Sequence, residues 1–186
     1  MKKILVLCLA AAMILTSFTA CGSDSSSAEG SGQAQEETVK EPALEDIAQA
    51  VRDAYGENYM PNTPLDEEML SSIYNINMDD VEEFIAESPM ISAQVDILIA
   101  IKAKDGKADG VEKALTEYRD YAINNSMNYP MNVAKVETAQ VVRHGDYVFY
   151  LILGAYNEDM EASEKDAVAF AKEQVQIGVD TIASFF

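Results

Sequence analysis

Histidine, cysteine and tryptophan are scarce or missing in this chain of 186 residues, which has one histidine, two cysteines and no tryptophan. The single histidine, His144, excludes a histidine-rich metal site, and any Ser-His-Asp triad would have to use it. Cys8 and Cys21 do not form a CxxC pair, so the sequence has no thiol redox motif. Nine tyrosines without tryptophan weaken the prediction of an aromatic platform for sugars but leave it open.

Basic residues are also few, since 13 lysines and arginines face 32 aspartates and glutamates, for a formal net charge of −19. A chain of this sign repels the phosphate backbone of nucleic acids, and no basic stripe interrupts the acidic composition. Anionic lipid headgroups are disfavoured for the same reason. The sequence also has no Gly-rich phosphate loop. We therefore expect no nucleic-acid partner and no cofactor.

The N-terminus has the pattern of a bacterial export signal. A cationic start, MKK, precedes an apolar run over residues 4–18. That run is shorter than the roughly 20 residues of a membrane-spanning helix. The segment FTAC, residues 18–21, then resembles a lipobox, the cleavage site of lipoprotein signals, and departs from it only at Phe18, where a smaller aliphatic residue is usual. We predict that residues 1–20 are a lipoprotein signal peptide and that Cys21 is lipidated.

A lipid on Cys21 accounts for both cysteines, because Cys8 would leave with the signal. Each buried acyl methylene contributes about 0.8 kcal/mol and stable anchoring needs more than one chain, which a diacylglycerol supplies. Residues 21–42 contain Ser, Gly, Gln and Glu but almost nothing apolar, so we expect a disordered tether. The predicted location is the extracellular side of the cell membrane, with the lipid anchor as the membrane contact.

Residues 43–186 have the length of one globular domain. Apolar residues at helical spacing predict four helices in this domain. They cover residues 44–55, a segment from 63 to about 74, a segment from 111 to about 126, and a long C-terminal segment marked by apolar residues from 167 to 182. Pro42 and Gly56 are the expected boundary residues of the first helix.

Four strands are predicted between these helices. They cover residues 84–87, for which a helical turn is the alternative, and residues 94–104, 133–143 and 147–153. The 94–104 segment alternates with period two and predicts one well-buried face, whereas YVFYLIL is apolar on both faces and belongs inside the sheet. His144-Gly145-Asp146 is the expected hairpin turn, with His144 exposed. The predicted fold is α+β, with a mainly antiparallel sheet of three to four strands and helices on one face, a two-layer sandwich.

Several of these segments together resemble a known bacterial family. The features are the QVDILIAIKAKD strand, a following helix that carries Arg119, the pair Tyr129-Pro130, and the GDYVFYLIL strand. They look like the family catalogued as domain of unknown function 4358, over roughly residues 44–153. That family occurs in exported proteins of Gram-positive bacteria and has no assigned activity. The resemblance implies an exported lipoprotein and says nothing about its chemistry.

Two acidic segments have the residue types of a metal site. DGKADG, residues 105–110, resembles the start of an EF-hand loop, but Lys107 and Thr116 stand where positions 3 and 12 need oxygen ligands. We interpret it as a strand-to-helix turn with Asp109 as the helix cap. Residues 79–83, DDVEE, lack the apolar surroundings that would separate the pKa values of paired carboxylates, so we interpret them as a solvated turn. No metal site is predicted.

Arg119, Tyr129 and Asp96 are the candidate ligand-binding or structural ion-pair residues. Arg119, on the third helix, can pair with a carboxylate of the sheet or receive an anionic ligand. Tyr129 most simply anchors the connection between that helix and the next strand. No set of catalytic residues converges in the sequence, so we expect a non-catalytic binding or assembly module with an envelope protein partner. The alternatives are an envelope hydrolase that uses carboxylates, with these three residues around a cleft, and a small-ligand receptor.

Overall fold

The computed structural model describes residues 41–91, 93–159 and 161–186, and these belong to one compact unit. The predictions for the signal peptide and for Cys21, and nearly all of the predicted tether, lie outside the described residues. Five α-helices and five β-strands occur in the described ranges. The helices are α1 (Leu44–Tyr55), α2 (Glu67–Tyr74), α3 (Ala108–Asn125), α4 (Pro130–Glu137) and α5 (Glu164–Ala183). The strands are β1 (Thr63–Pro64), β2 (Val81–Ser88), β3 (Ile97–Ala103), β4 (Gln140–His144) and β5 (Tyr147–Ile152).

The strands form one antiparallel sheet in the order β1-β2-β3-β5-β4. The α+β class and the interior position of β5 are confirmed. The β4–β5 hairpin is also confirmed, and Gly145 in its turn has φ +59°, a conformation that glycine adopts without strain. The prediction of three to four strands was one short, because Thr63 and Pro64 pair with Ser88 and Glu87 at the edge instead of starting a helix.

Helices cover both faces of the sheet, so the two-layer prediction was wrong. Ile97, Ile99 and Ile101 of β3 pack in one core with residues of α2, α3 and α4. Leu98 and Ala100, which alternate with them, pack in a second core with residues of α1 and α5. The period-two alternation predicted one well-buried face for this strand, but both faces are apolar over these five residues. The result is a three-layer arrangement of helices, sheet and helices.

The segment 133–143, predicted as a strand, is divided between α4 and β4. Pro130 occupies the first turn of α4, where its fixed φ favours a helix and its missing N–H costs nothing. Asn132, Lys135 and Val136 then lie on one buried face of α4. Val133 and Val136 favour a strand by their β-branching, and tertiary packing of the helix overrides that preference.

Two predicted helix starts also differ from the structure. The second helix begins at Glu67, where the Asp66 carboxylate caps it by accepting a hydrogen bond from the Met69 N–H at 2.8 Å. The third helix begins at Ala108 without a side-chain cap. Asp109, the predicted cap, accepts a hydrogen bond from Arg143 of β4 instead. A side-chain cap therefore defines the start of α2. At the start of α3 the Asp109 carboxylate contacts the sheet and does not cap the helix.

Gly178 allows α5 to approach α1 and the sheet closely. Its N–H donates to the Tyr55 hydroxyl at 2.9 Å, and that hydroxyl donates to the Gln174 carbonyl at 2.9 Å. A Cβ at position 178 would lie 2.8 Å from the Tyr55 hydroxyl oxygen and 2.9 Å from Leu151 Cδ1. This contact seats the C-terminal helix on the second core.

Candidate functional site

The three candidate residues from the sequence lie in different environments. Arg119 of α3 donates to the carboxylate of its neighbour Asp120 at 2.8 Å. Tyr129 immediately precedes α4, and 62% of its surface is exposed. Asp96 lies just before β3 and is buried. Its ionic partner is Lys135 of α4, a residue that the sequence analysis did not select.

Asp96 and Lys135 form an ion pair inside the domain. Lys135 Nζ lies 2.6 Å from Asp96 Oδ1 and 2.7 Å from the carbonyl oxygen of Gly154. The same ammonium lies 4.0 Å from the centroid of the Tyr156 ring. A carboxylate, a carbonyl and an aromatic face therefore take the place of water around this cation.

Gly154 has a backbone conformation that supports this arrangement. Its φ is +113°, which side-chain-bearing residues rarely adopt, and an added Cβ would lie 2.5 Å from the Gln174 Cβ. The segment after β5 can therefore turn against α5 and present the Gly154 carbonyl to Lys135 only with glycine at this position.

Tyr156 and Asn132 extend the ion pair into a hydrogen-bonded cluster. The Tyr156 hydroxyl lies 3.3 Å from Asp96 Oδ2 and 3.1 Å from Asn132 Oδ1. Because it has a single proton, it donates fully to one of these two acceptors at a time. Asn132 Nδ2 donates to the Ala93 carbonyl at 2.8 Å, which ties α4 to the β2–β3 connection. We call Asp96, Asn132, Lys135 and Tyr156 the buried polar cluster.

Burial controls the protonation of this cluster. It raises the pKa of Asp96, and the charge of Lys135 opposes the rise. It lowers the pKa of Lys135, and the charge of Asp96 opposes the fall. Burial, assisted by the nearby carboxylate of Asp96, raises the pKa of Tyr156 to about 12. The desolvation cost of both ions is therefore large, and each ion depends on the other to remain charged.

Two cavities lie on either side of the buried polar cluster. The first, of about 320 Å³, lies between α4, the segment after β5 and α5, and Lys135 and Tyr156 line it together with Met131 and Phe170. We call it the α4–α5 groove. The second, of about 290 Å³, lies on the other side and is lined by Asp96 and by three tyrosines. We call it the tyrosine cavity, after Tyr74, Tyr118 and Tyr150.

Lys135, Asn132 and Tyr156 were missed by the sequence analysis. The signal for the first two was present, since residues 132 and 135 are three positions apart and share a face once the segment is helical. The predicted strand over residues 133–143 left Asn132 outside it, so the prediction did not bring Asn132 and Lys135 to one face. Nothing local marks Tyr156, which follows the last strand in an irregular segment.

Residues of the acidic segments and His144 have structural partners. Asp80 pairs with Lys107 at 3.0 Å, and Glu82 pairs with Lys102 at 3.0 Å. His144 is half-buried rather than exposed as predicted, because its ring stacks on that of Phe186 with 4.6 Å between centroids. Within the described ranges, no group of three or more His, Cys, Asp or Glu side chains is placed to hold a metal ion.

The fold defines a small α+β domain whose antiparallel sheet is covered by helices on both faces. Residues 54–153 match the family described as domain of unknown function DUF4358, and the chain belongs to this family. The expected family membership is thereby confirmed. No curated protein and no solved structure matches the chain significantly. The matched range contains Asp96, Asn132 and Lys135 but ends before Tyr156 and α5.

None of the helices among the described residues is both long and apolar enough to cross a membrane.

Proposed function

We propose that this protein is a lipoprotein that is anchored through Cys21 on the extracellular side of the cell membrane and that its α+β domain is a non-catalytic binding module. Support for the anchor comes from the cationic start, the short apolar run and the FTAC segment at residues 18–21. A tether rich in Ser, Gly and Glu would separate the domain from the headgroups. About 20 residues of such a coil have a root-mean-square reach of roughly 25 Å.

The observation that carries the binding role is the position of the buried polar cluster between two cavities. Asp96 lines one cavity and Lys135 lines the other, yet the two side chains neutralise each other at 2.6 Å. A catalytic acid or base must be free to exchange a proton with a substrate within its reach. Here the carboxylate and the ammonium hold each other, so the pair is suited to fixing the walls of two binding sites.

The envelope hydrolase is less well supported than a binding module. It depended on Asp96, Arg119 and Tyr129 around one cleft, whereas Arg119 is bound to Asp120 and Tyr129 faces solvent. The small-ligand receptor is the second candidate function, and the two cavities favour it. An envelope protein partner remains a prediction, to be sought by crosslinking in intact cells.

Metabolic labelling with an alkyne-bearing palmitate tests the anchor. The full chain, expressed in a Gram-positive host, is expected to carry the label and to partition into the detergent phase. Cys21→Ser should lose the label and appear in the medium, while the matched control Cys8→Ser should behave as the parent does. A labelled Cys21→Ser protein, or an unlabelled parent, would contradict the proposed anchor.

A further inference from the structure

The tyrosine cavity lies between α2, α3 and the connection from β2 to β3. Three of its walls are aromatic, since Tyr74 packs on Tyr118 with 4.4 Å between ring centroids, and Tyr118 meets Tyr150 edge-on at 5.7 Å. Its volume of about 290 Å³ lies at the lower end of the range for small-molecule sites, which starts near 300 Å³. A molecule of the size of one sugar ring fits this space.

Tyr150 presents a hydroxyl that the rest of the described domain does not satisfy. The side chain is fully buried, and among the described residues no hydrogen-bond partner exists for its oxygen. Buried hydroxyls nearly always have a partner, because leaving one unpaired costs the desolvation of the group. Since Tyr150 lines the tyrosine cavity, a molecule in that cavity is the natural source of the missing hydrogen bond.

Apart from Asp96, the other polar groups of the cavity are uncharged. Ser88, Gln94, Ser126 and Asn128 contribute hydroxyls and amides to the lining. Asp96, the one charged residue that the described part of the chain contributes to the lining, already has Lys135 as its counter-ion. Among the described residues no lysine or arginine lines this cavity, and Arg119, whose charge acts on the Tyr150 hydroxyl, is paired with Asp120 at 2.8 Å. An anion would therefore compete with Asp120 for its counter-charge, and a cation would find the Asp96 carboxylate occupied. The lining therefore selects for a neutral ligand with several hydrogen-bonding groups.

We propose that the tyrosine cavity binds a small uncharged polyhydroxyl compound of one sugar ring, held against the tyrosine rings and hydrogen-bonded to the Tyr150 hydroxyl. This inference rests on the proposed binding role and gives it a ligand class. Ring C–H groups of a sugar pack on aromatic faces while its hydroxyls bond amides and side-chain hydroxyls, which are the two kinds of surface that this cavity combines.

Isothermal titration calorimetry on the full chain in a detergent without sugar headgroups tests the ligand class. The probes are glucose and N-acetylglucosamine, with glucosamine below its pKa and glucuronate as charged counterparts. Saturable binding of at least one neutral sugar, and binding at least tenfold weaker for its charged counterpart, is expected. Tyrosine fluorescence gives a second readout, because the chain has no tryptophan.

Two variants test the position of the ligand. Tyr150→Phe removes only the hydroxyl and is expected to weaken sugar binding roughly five- to tenfold, the value of one neutral hydrogen bond, without loss of folding. Ser126→Leu changes an exposed residue at the cavity and should abolish binding by filling its mouth. Tyr55→Phe is the matched control, since it removes a buried hydroxyl that does not line the tyrosine cavity and should leave the dissociation constant unchanged.

The result that overturns the proposal is the absence of saturable binding for every neutral sugar, or equal binding by Tyr150→Phe, Ser126→Leu and the parent. Tighter binding of a charged counterpart than of its neutral sugar would also overturn it. These failures are separable from failure of the anchor, because palmitate labelling of Cys21 is measured in cells and does not depend on any ligand.

Discussion

Removing one partner of the Asp96–Lys135 pair is expected to destabilise the domain far more than removing both. In Asp96→Asn the ammonium of Lys135 retains the Gly154 carbonyl and the face of Tyr156 but loses its counter-ion. In Lys135→Met the carboxylate of Asp96 retains the Tyr156 hydroxyl at 3.3 Å and loses its cation. Either change leaves one buried ionisable group without its counter-ion.

The structure sets the size of this effect. Both side chains are at most 5% exposed, so each single variant should lose about 3–5 kcal/mol of unfolding free energy. The double variant Asp96→Asn/Lys135→Met removes both charges of the pair. Its free energy of unfolding should be at most about 1 kcal/mol below that of the parent, or higher than that of the parent. The coupling energy of the cycle should therefore exceed roughly 3 kcal/mol.

Urea denaturation followed by far-ultraviolet circular dichroism gives the four free energies of the cycle. A pH series adds a sign test on Asp96→Asn. Burial lowers the folded pKa of Lys135 below its unfolded value near 10.5, so the free energy of unfolding of Asp96→Asn, measured relative to the double variant with the same tyrosines, should fall as the pH drops from that value through the lowered folded pKa. Losses in the two single variants that simply add in the double variant would refute the coupling of these residues.

Three further predictions follow from hydroxyl satisfaction, close packing and tyrosine burial. Tyr150→Phe should leave the unfolding free energy unchanged or raise it by up to about 2 kcal/mol, because the Tyr150 hydroxyl has no hydrogen-bond partner among the described residues. Tyr55→Phe should lower the unfolding free energy by about 1–2 kcal/mol, because the Tyr55 hydroxyl donates to the Gln174 carbonyl; equal losses of the two variants in urea denaturation would contradict this. Gly178→Ala should lower the free energy of unfolding by about 1–3 kcal/mol through overpacking. Gly110→Ala on α3 is its control: the new Cβ would lie 3.7 Å from Asp80 Oδ2, an ordinary contact, and the free energy of unfolding should rise by up to about 1 kcal/mol in the same assay. Burial raises the pKa of seven tyrosines above the ordinary value of 10, and it raises that of Tyr156 to about 12. The contribution of these tyrosines to the free energy of unfolding should therefore be fully present below pH 10 and be lost as the pH rises through the raised pKa values. Absorbance at alkaline pH should then show tyrosine ionisation and unfolding together, and ionisation of all nine tyrosines in the folded state would contradict it.

Local patterns predicted the elements that depend on neighbouring residues. The apolar run YVFYLIL predicted an interior strand, and β5 lies between β3 and β4. Helical spacing predicted α1, α3 and α5 close to their observed bounds, and Gly145 marked the hairpin. These elements were predictable because periodicity and turn chemistry act over a few residues.

The layer count and α4 were not predictable from the same patterns. Leu98 and Ala100 alternate with isoleucines, and their spacing does not say whether a helix covers their face. Val133 and Val136 have side chains that favour strands, yet α4 forms because Pro130 starts it and its buried face packs on the first core. In both places the deciding energy comes from burial against distant elements.

The sequence by itself determined the α+β class, most helices and strands and the family, and it supports the prediction of a lipidated Cys21. Only the tertiary structure decided which charged and polar groups meet. Asp96 and Lys135 are 39 positions apart, and no local sequence pattern around either residue predicts that they form an ion pair. The Tyr150 hydroxyl likewise became a candidate ligand contact only because packing buries it with no hydrogen-bond partner in the described part of the chain. Secondary structure follows short-range patterns, whereas a site is made by burial, which brings together residues that are remote in the chain.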